Sequence, residues 1–362
     1  MDKILDLKKS FIKILEKFLY TKPKKILGIE FNDLEQVKIV QVEFRNNKKP
    51  LITKFVVEAF SEELIGANYE DNSEEITFFL KSVLKKNGFD ANYVAFAIMG
   101  KDAFVREISI PQMPDSELQE AVMWESSEYV PYEKDSYYLD FDKFSEVDNE
   151  GLQPLILVAA PKERVDFLLN IANKLELKTL KIDVDVAAAY RTLAKEYEDF
   201  IMLSVEKRYS LLTIFQKGAP VAQRSVSQGL NSFLMAVSDK RVVDLKEASN
   251  LLKEYDVLAG RNGEMDETTI ALQARADDLI RECKRTSDYY KVNNKDATFN
   301  QVVIIGESYA IKGLDKYLAK NLDMIVVHDN LLEKVEFDNY KSNSNFSQLV
   351  VPIGAALGGG ES

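Results

Sequence analysis

Between Lys24 and Phe60 the apolar positions fall in runs with partial alternation, "ILGIEF", "QVKIVQVEF" and "LITKFVVEAF", rich in β-branched and aromatic residues. That pattern predicts a meander of successive strands. The spacing becomes helical in "NSEEITFFLKSVLKKNG", which opens on Asn72 and Ser73 and has Gly88 past its end. "NYVAFAIMG" and "AFVREISIP" read as strands. "PDSELQEAVMWESSEYVP" reads as a helix capped by Asp115 or Ser116, with Leu118, Val122 and Trp124 on its apolar stripe and Pro131 closing it. "SYYLDFDKF" and "LQPLILVAAP" are strands around the polar turn "EVDNEG". "KERVDFLLNIANKLEL" is a helix, and "LKTLKIDVD" is a strand leading into the helix "VAAAYRTLAKEY".

Near Asp199 the pattern begins again. "FIMLSVEKRYSLLTIFQKGAPVAQRSV" predicts two long strands and a third after a turn at Lys217 and Gly218. Both halves thus open on a strand meander with a polar bend, the mark of an internal duplication, with residues 24–198 as one unit and 199–362 as the other. Helices are expected around "LNSFLMAVSD", from Glu247 to Tyr255, and through "TIALQARADDLIRECKRTSDYYK". "NQVVIIGESYAIKGLDKYLAKNL" reads as a buried strand, a turn and a helix, and "DMIVVHDN" as a further buried strand. "LVVPIGAALGG" reads as a last short helix packed through small residues, with "GRNGEMDE" and "NYKSNSNFS" as mobile polar loops.

Ahead of the first strand, Ile4, Leu7, Phe11, Ile14 and Phe18 recur three and four apart, with Lys8, Lys9, Lys13 and Lys17 between them. This predicts an amphipathic helix over residues 1–23 with a basic polar side, ended by Pro23. Two readings of it stay open: contact with an anionic lipid surface, or packing on the protein or a partner. Charges interrupt its apolar runs, so it is no cleavable signal, and no stretch supplies the ~20 apolar residues of a membrane span.

Charge narrows the function. The 47 basic and 59 acidic residues give a net charge of -12, which argues against a nucleic-acid binder that must collect phosphates. With Cys283 as the only cysteine, neither an intrachain disulfide nor a cysteine-rich metal site can form. His328 is the only histidine, so a histidine-built metal centre or catalytic triad would rest on it alone. Its place in "MIVVHDN" points to a structural role.

The segment "VREISIPQMPDSELQEAVMWESSEYVPYEKDSYYLDF", and in order after it "LILVAAPKERVDFLL", "LKIDVDVAAAYR", "RSVSQG" and "RTSDYYK", resemble the PilM family of type IV pilus assembly proteins. The resemblance covers the chain from about Lys24 onward. It implies an α/β fold of duplicated actin-like βββαβα domains, ribonuclease H-like in topology, with an inserted subdomain of the FtsA type at 61–164. It further implies a bacterial cytoplasmic protein, peripheral to the inner membrane, in the pilus platform. Its partners would be the N-terminal cytoplasmic tail of a PilN-like membrane protein, held in a groove beside the inserted subdomain, together with pilus motor and platform proteins and a second copy of itself. "IPQMP" would help to shape the wall of that groove.

Many proteins of this family bind ATP between the two halves, with magnesium, and the resemblance marks the positions. The first phosphate bend, usually Gly-Ile-Asp-Ile-Gly-Ser-Ser-Ser-Val-Lys, aligns with Gly28 to Lys38. Gly28 and Lys38 match, whereas Glu30 and Asn32 replace an Asp and a Gly, and Asp33 and Glu35 add negative charge. The second bend, usually Asp-x-Gly-x-x-x-Thr, aligns with Ser204 to Ser210, so its acid and glycine are absent and Lys207 and Arg208 stand in it. The adenosine element keeps Gly306 and Ser308 around Glu307. Asp183 and Asp185 match positions near the metal, and read equally well as turn and helix-cap residues.

The expectation is a nonenzymatic scaffold with a degenerate nucleotide site. Two alternatives are an ATP-binding switch or weak ATPase, in which Lys38, Lys207 and Arg208 replace glycine contacts with cationic ones, and an FtsA-like membrane-associated filament or division protein.

Overall fold

The computed structural model describes residues 23–32, 35–61, 64, 71–100, 102–193, 197–295, 297–328, 333–338 and 346–361. The amphipathic segment 1–22, Asp33 and most of "NYKSNSNFS" lie outside them.

The first half begins with the expected meander: β1 (Lys25–Asn32), β2 (Gln36–Glu43) and β3 (Leu51–Ala59). α1 (Ser73–Lys86) follows, with acids in its first turn and lysines in its last, which suits the helix dipole. β4 (Tyr93–Ile98) then runs parallel to β1. Next come β5 (Phe104–Pro111), α2 (Asp115–Ser126), β6 (Tyr137–Lys143), β7 (Leu152–Pro161) and α3 (Lys162–Lys174). β8 (Lys178–Val184) and α4 (Asp185–Thr192) end the half.

The second half repeats the plan. β9 (Phe200–Val205), β10 (Ser210–Gln216) and β11 (Ala219–Val226) form its meander. α5 (Leu230–Arg241), α6 (Leu245–Leu252), the short hairpin β12 (Tyr255–Asp256) and β13 (Gly260–Arg261), and α7 (Glu267–Asn293) follow. The Asp244 and Asp266 side chains cap α6 and α7 by accepting from Glu247 N and Thr269 N. β14 (Gln301–Gly306), α8 (Leu314–Leu322), β15 (Ile325–His328), β16 (Glu336–Phe337) and α9 (Val350–Glu361) complete the chain.

The strand order is β16-β3-β2-β1-β4-β8 in one sheet and β15-β14-β9-β10-β11-β5-β7-β6 in the other. Both contain the same motif, an antiparallel meander whose first strand is flanked by two further parallel strands: β3-β2-β1-β4-β8 and β11-β10-β9-β14-β15. The duplication is therefore structural as well as sequential. Within the stretch 61–164, α1 and β4 serve the first sheet. β5, β6 and β7 with α2 instead enclose a small core of their own, including Ile108, Leu118, Val122 and Leu157. These strands extend the second sheet through a single bridge, Arg106 to Ala222. From "IPQMP", Ile110 and Met113 pack into that core.

Apart from a small cluster of Met99, Tyr209 and Leu211, the other buried hydrophobic residues form one core continuous across both halves, because α9 leaves the second half and packs on α4, β1 and β4 of the first. α9 carries Ile353, Ala355 and Ala356 fully buried, as its small-residue composition predicts.

Four expectations need correction. Trp124 is 79% exposed and Met123 61%, so the buried side of α2 is Leu118, Val122 and Ser126. β15 is the edge strand of its sheet, Val326 and Val327 are only half-buried, and His328 at its end is exposed beside the Tyr309 ring. "GRNGEMDE" is a closed turn, with Arg261 and Glu264 exchanging backbone hydrogen bonds of 3.0 Å. The helix expected to reach Tyr255 stops at Leu252, and Tyr255 is a buried strand residue. No described helix is long and apolar enough to cross a membrane.

Candidate functional site

The two bends that the sequence marks as phosphate sites face each other where the halves meet. Register explains the first. β1 and β2 pair so that Gly28 lies opposite Val40, Glu30 opposite Lys38 and Asn32 opposite Gln36. Directly opposed residues share a face, so Glu30 and Lys38 are held side by side. Lys38 Nζ is 3.2 Å from Glu30 Oε1 and 3.4 Å from Glu206 Oε2, the latter in the bend between β9 and β10. All three side chains are at most 1% exposed. Ser204 Oγ donates to Glu206 Oε1 at 2.7 Å and fixes that carboxylate.

The remaining marked residues divide. Gly28 lies against α9, where a Cβ would stand 1.8 Å from the Pro352 carbonyl oxygen. Asn32 is the last residue of β1. Arg208 forms an ion pair with Glu35, and the Lys207 carbonyl accepts from Asn231 N at 2.7 Å. Gly306 sits beside Glu206 with its carbonyl bonded by Ser347 Oγ at 2.8 Å. Ser308 Oγ turns back to the Ile305 carbonyl, and Glu307 accepts from Gln36 Nε2 at 3.2 Å.

Asp183 is engaged by other partners. It accepts from Arg191 at 2.5 Å and lies 3.8 Å from Lys181, while Asp185 accepts from Val186 N at 2.7 Å. Among the described residues no three His, Cys, Asp or Glu side chains converge as a metal site. Between the halves Asp185, Ser204, Ile305 and Val351 line a cavity of about 10 Å³, space for a single water.

Sequence reasoning found Lys38 and Glu30 but passed over Glu206, which it registered only as a missing glycine. The signal was present: a lysine kept between two strands of a buried meander needs a counter-charge, and Glu206 lies in the only other bend aligned to it.

Electrostatics follow from burial. Burial raises the Glu30 carboxyl, against the pull of Lys38, to about 8, and its Oε2 has no hydrogen-bond partner among the described residues. Burial raises Asp185 to about 7 despite bonds from the Gly100 and Val186 backbone. For Lys38, burial acts downward, but Glu206, Glu30 and Glu307 outweigh it and hold the amine above its ordinary value, so it stays charged.

A carboxyl raised by folding contributes stability that is complete below its unfolded value and is lost as pH rises through its folded value. Both groups therefore predict a denaturant midpoint that falls between about pH 6 and about pH 8.5, a slope that Glu30→Gln should flatten. A midpoint rising over that interval would mean that neither carboxyl carries a proton in the folded protein.

A family model described as Type IV pilus assembly protein PilM matches residues 28–359. Among solved structures, the chain resembles one described as a PilM-PilN type IV pilus biogenesis complex, with a TM-score of 0.76 and 21% identity over 93% of this chain and 99% of that one. It also resembles the ethanolamine utilization protein EutJ from Carboxydothermus hydrogenoformans, with a TM-score of 0.51 and 13% identity over 92% of this chain and 90% of that one. No curated protein matches the sequence.

Proposed function

The chain belongs to the type IV pilus assembly protein PilM family and has its duplicated actin-like fold, and from that premise we propose that it is a nonenzymatic scaffold of the pilus platform. In this reading it works at the cytoplasmic face of the bacterial inner membrane. There it captures the N-terminal cytoplasmic tail of a PilN-like membrane protein and supports pilus assembly. The likeness to a solved PilM-PilN complex supports the choice of partner.

The observation that carries the nonenzymatic part is Lys38. The one lysine that the resemblance assigns to phosphate is already held between Glu30 and Glu206, buried to 1% exposure. A triphosphate brought there would have to displace the Glu206 carboxylate from that lysine, and like charges in a dry site repel strongly. Gly28, which would give the phosphates backbone room, is closed off by Pro352, and Asp183 is taken up by Arg191 rather than aimed at a metal. The residues present do not fit ATP with magnesium in this arrangement. The cavity of about 10 Å³ between the halves supports the same reading, since ligand pockets run to several hundred Å³.

The test is fluorescence anisotropy of a labelled synthetic peptide of the PilN-like tail from the same genome, titrated with the full chain, together with calorimetry of ATP and magnesium. Expected are peptide binding that ignores nucleotide and no heat at high micromolar ATP. A peptide that fails to bind would remove the partner. Peptide affinity that changes with ATP would replace the scaffold with a nucleotide switch.

A further inference from the structure

Three of the polar ties that cross between the halves, that of Lys38 and two beside it, start from one short stretch at the head of β2. Glu35 pairs with Arg208, Gln36 Nε2 donates to Glu307 Oε1 at 3.2 Å, and Lys38 reaches Glu206 at 3.4 Å. Their three partners come from two places in the second half: Glu206 and Arg208 from the β9–β10 bend, and Glu307 from the turn after β14. The ties are graded in depth. Arg208 is half exposed at the rim, whereas Lys38 and Glu206 are buried.

A pair within one hairpin, such as Glu30 with Lys38, would stabilise only the first half. Glu206 changes this, since it stands 168 residues away in sequence and belongs to the other half. Ser204 holds its carboxylate in the direction of Lys38, and Gly306, whose absent side chain would come 3.1 Å from Glu206 Oε1, leaves it room.

We propose that the Glu35–Lys38 stretch is a clasp built into the chain, with Lys38 and Glu206 at its centre, that holds the two halves closed in the place where a ligand would otherwise join them. This rests on the reading that the cleft takes no nucleotide. The lysine is the cation a phosphate would meet, and the Glu206 carboxylate is the anion that meets it instead. The halves therefore keep one mutual orientation without a ligand, as a fixed mount for a partner requires. Glu30 and Asp185, on β1 and α4, and Glu307, after β14, are the other charged groups that act on this centre.

Hydrogen exchange of the full chain tests the clasp. The key variant is Lys38→Met with Glu30→Gln and Glu206→Gln, which removes the clasp yet leaves no unpaired buried charge. Expected is exchange at least about tenfold faster at residues 35–38 and 206–210, with amides inside β10, β11 and α7 at their wild-type rates. Seam exchange at the wild-type rate would overturn the clasp and leave Lys38 as a local charge partner.

Should that triple variant exchange everywhere as an unfolded chain, Glu206→Gln alone decides, because Lys38 then keeps Glu30. Faster seam exchange with an unchanged core supports the clasp, and an unchanged seam overturns it. Calorimetry of ADP with the wild-type chain separates the two ideas. Micromolar binding would refute the sealed cleft, while the exchange result judges the clasp by itself.

Discussion

Lys38→Met is expected to destabilise the folded chain by about 3–5 kcal/mol, the usual cost of removing one partner from a buried ion pair. Methionine fits the volume of the lysine stem, so the loss comes from charge and not from a cavity. Without the ammonium, Glu206 and Glu30 both lose the cation between them, in a site at most 1% exposed. An uncompensated carboxylate there costs several kcal/mol.

The control is the neutral triple variant, which should recover most of that loss, since replacing a whole buried ionic group by neutral residues is often close to neutral. The deficit of Lys38→Met should also shrink on acidification, when Glu30 is held protonated. Urea unfolding at about pH 5.5 and about pH 8 measures both effects. A Lys38→Met chain as stable as the wild type at the higher pH would mean that Glu30 and Glu206 are not buried as a pair around it.

Much of this architecture was legible because the hydrophobic period changes cleanly. The short β-branched apolar run through Ile39 and Val40, helical spacing through Ile76, Leu80 and Val83, and the return of an apolar run at Phe200 each gave the right element in the right order. Trp124 was misplaced for a reason visible in helix geometry. Leu118, Val122 and Ser126 lie four apart on one face, while a residue two beyond Val122 is turned about 200° from it.

The polar centre was harder to see. Comparison with a family motif asks which residue has been lost, and by that question Glu206 was an absent glycine. What it gained, a lysine in the other half, is a long-range pairing that no local pattern reports. The β1–β2 register could be read from the hairpin, so Glu30 with Lys38 was within reach. The path that brings β9 to the same place depends on how α4 and α9 cross, and that crossing is set by backbone contact.

Gly354→Ala tests the crossing and is the second large effect expected. A Cβ at Gly354 would stand 1.7 Å from the Ala188 carbonyl oxygen and 2.4 Å from its carbon, so the obstacle is the backbone of α4. Ala188→Gly would give no relief for the same reason. Nor can α9 retreat, because on its other side the Pro352 carbonyl already occupies the space over Gly28, where a Cβ would lie 1.8 Å away.

Alanine favours a helix over glycine by about 1 kcal/mol, but overpacking a tight interior costs about 1–3 kcal/mol and more where the backbone must move. Here two backbones would have to part, so a net loss of about 3 kcal/mol is expected in urea unfolding. The same shift would open the angle between the halves and stretch the Lys38 to Glu206 contact, so seam exchange should rise along with the loss of stability. A variant of wild-type stability would show that α4 and α9 can slide past one another. The polar ties at the head of β2 would then carry more of the mutual angle of the halves.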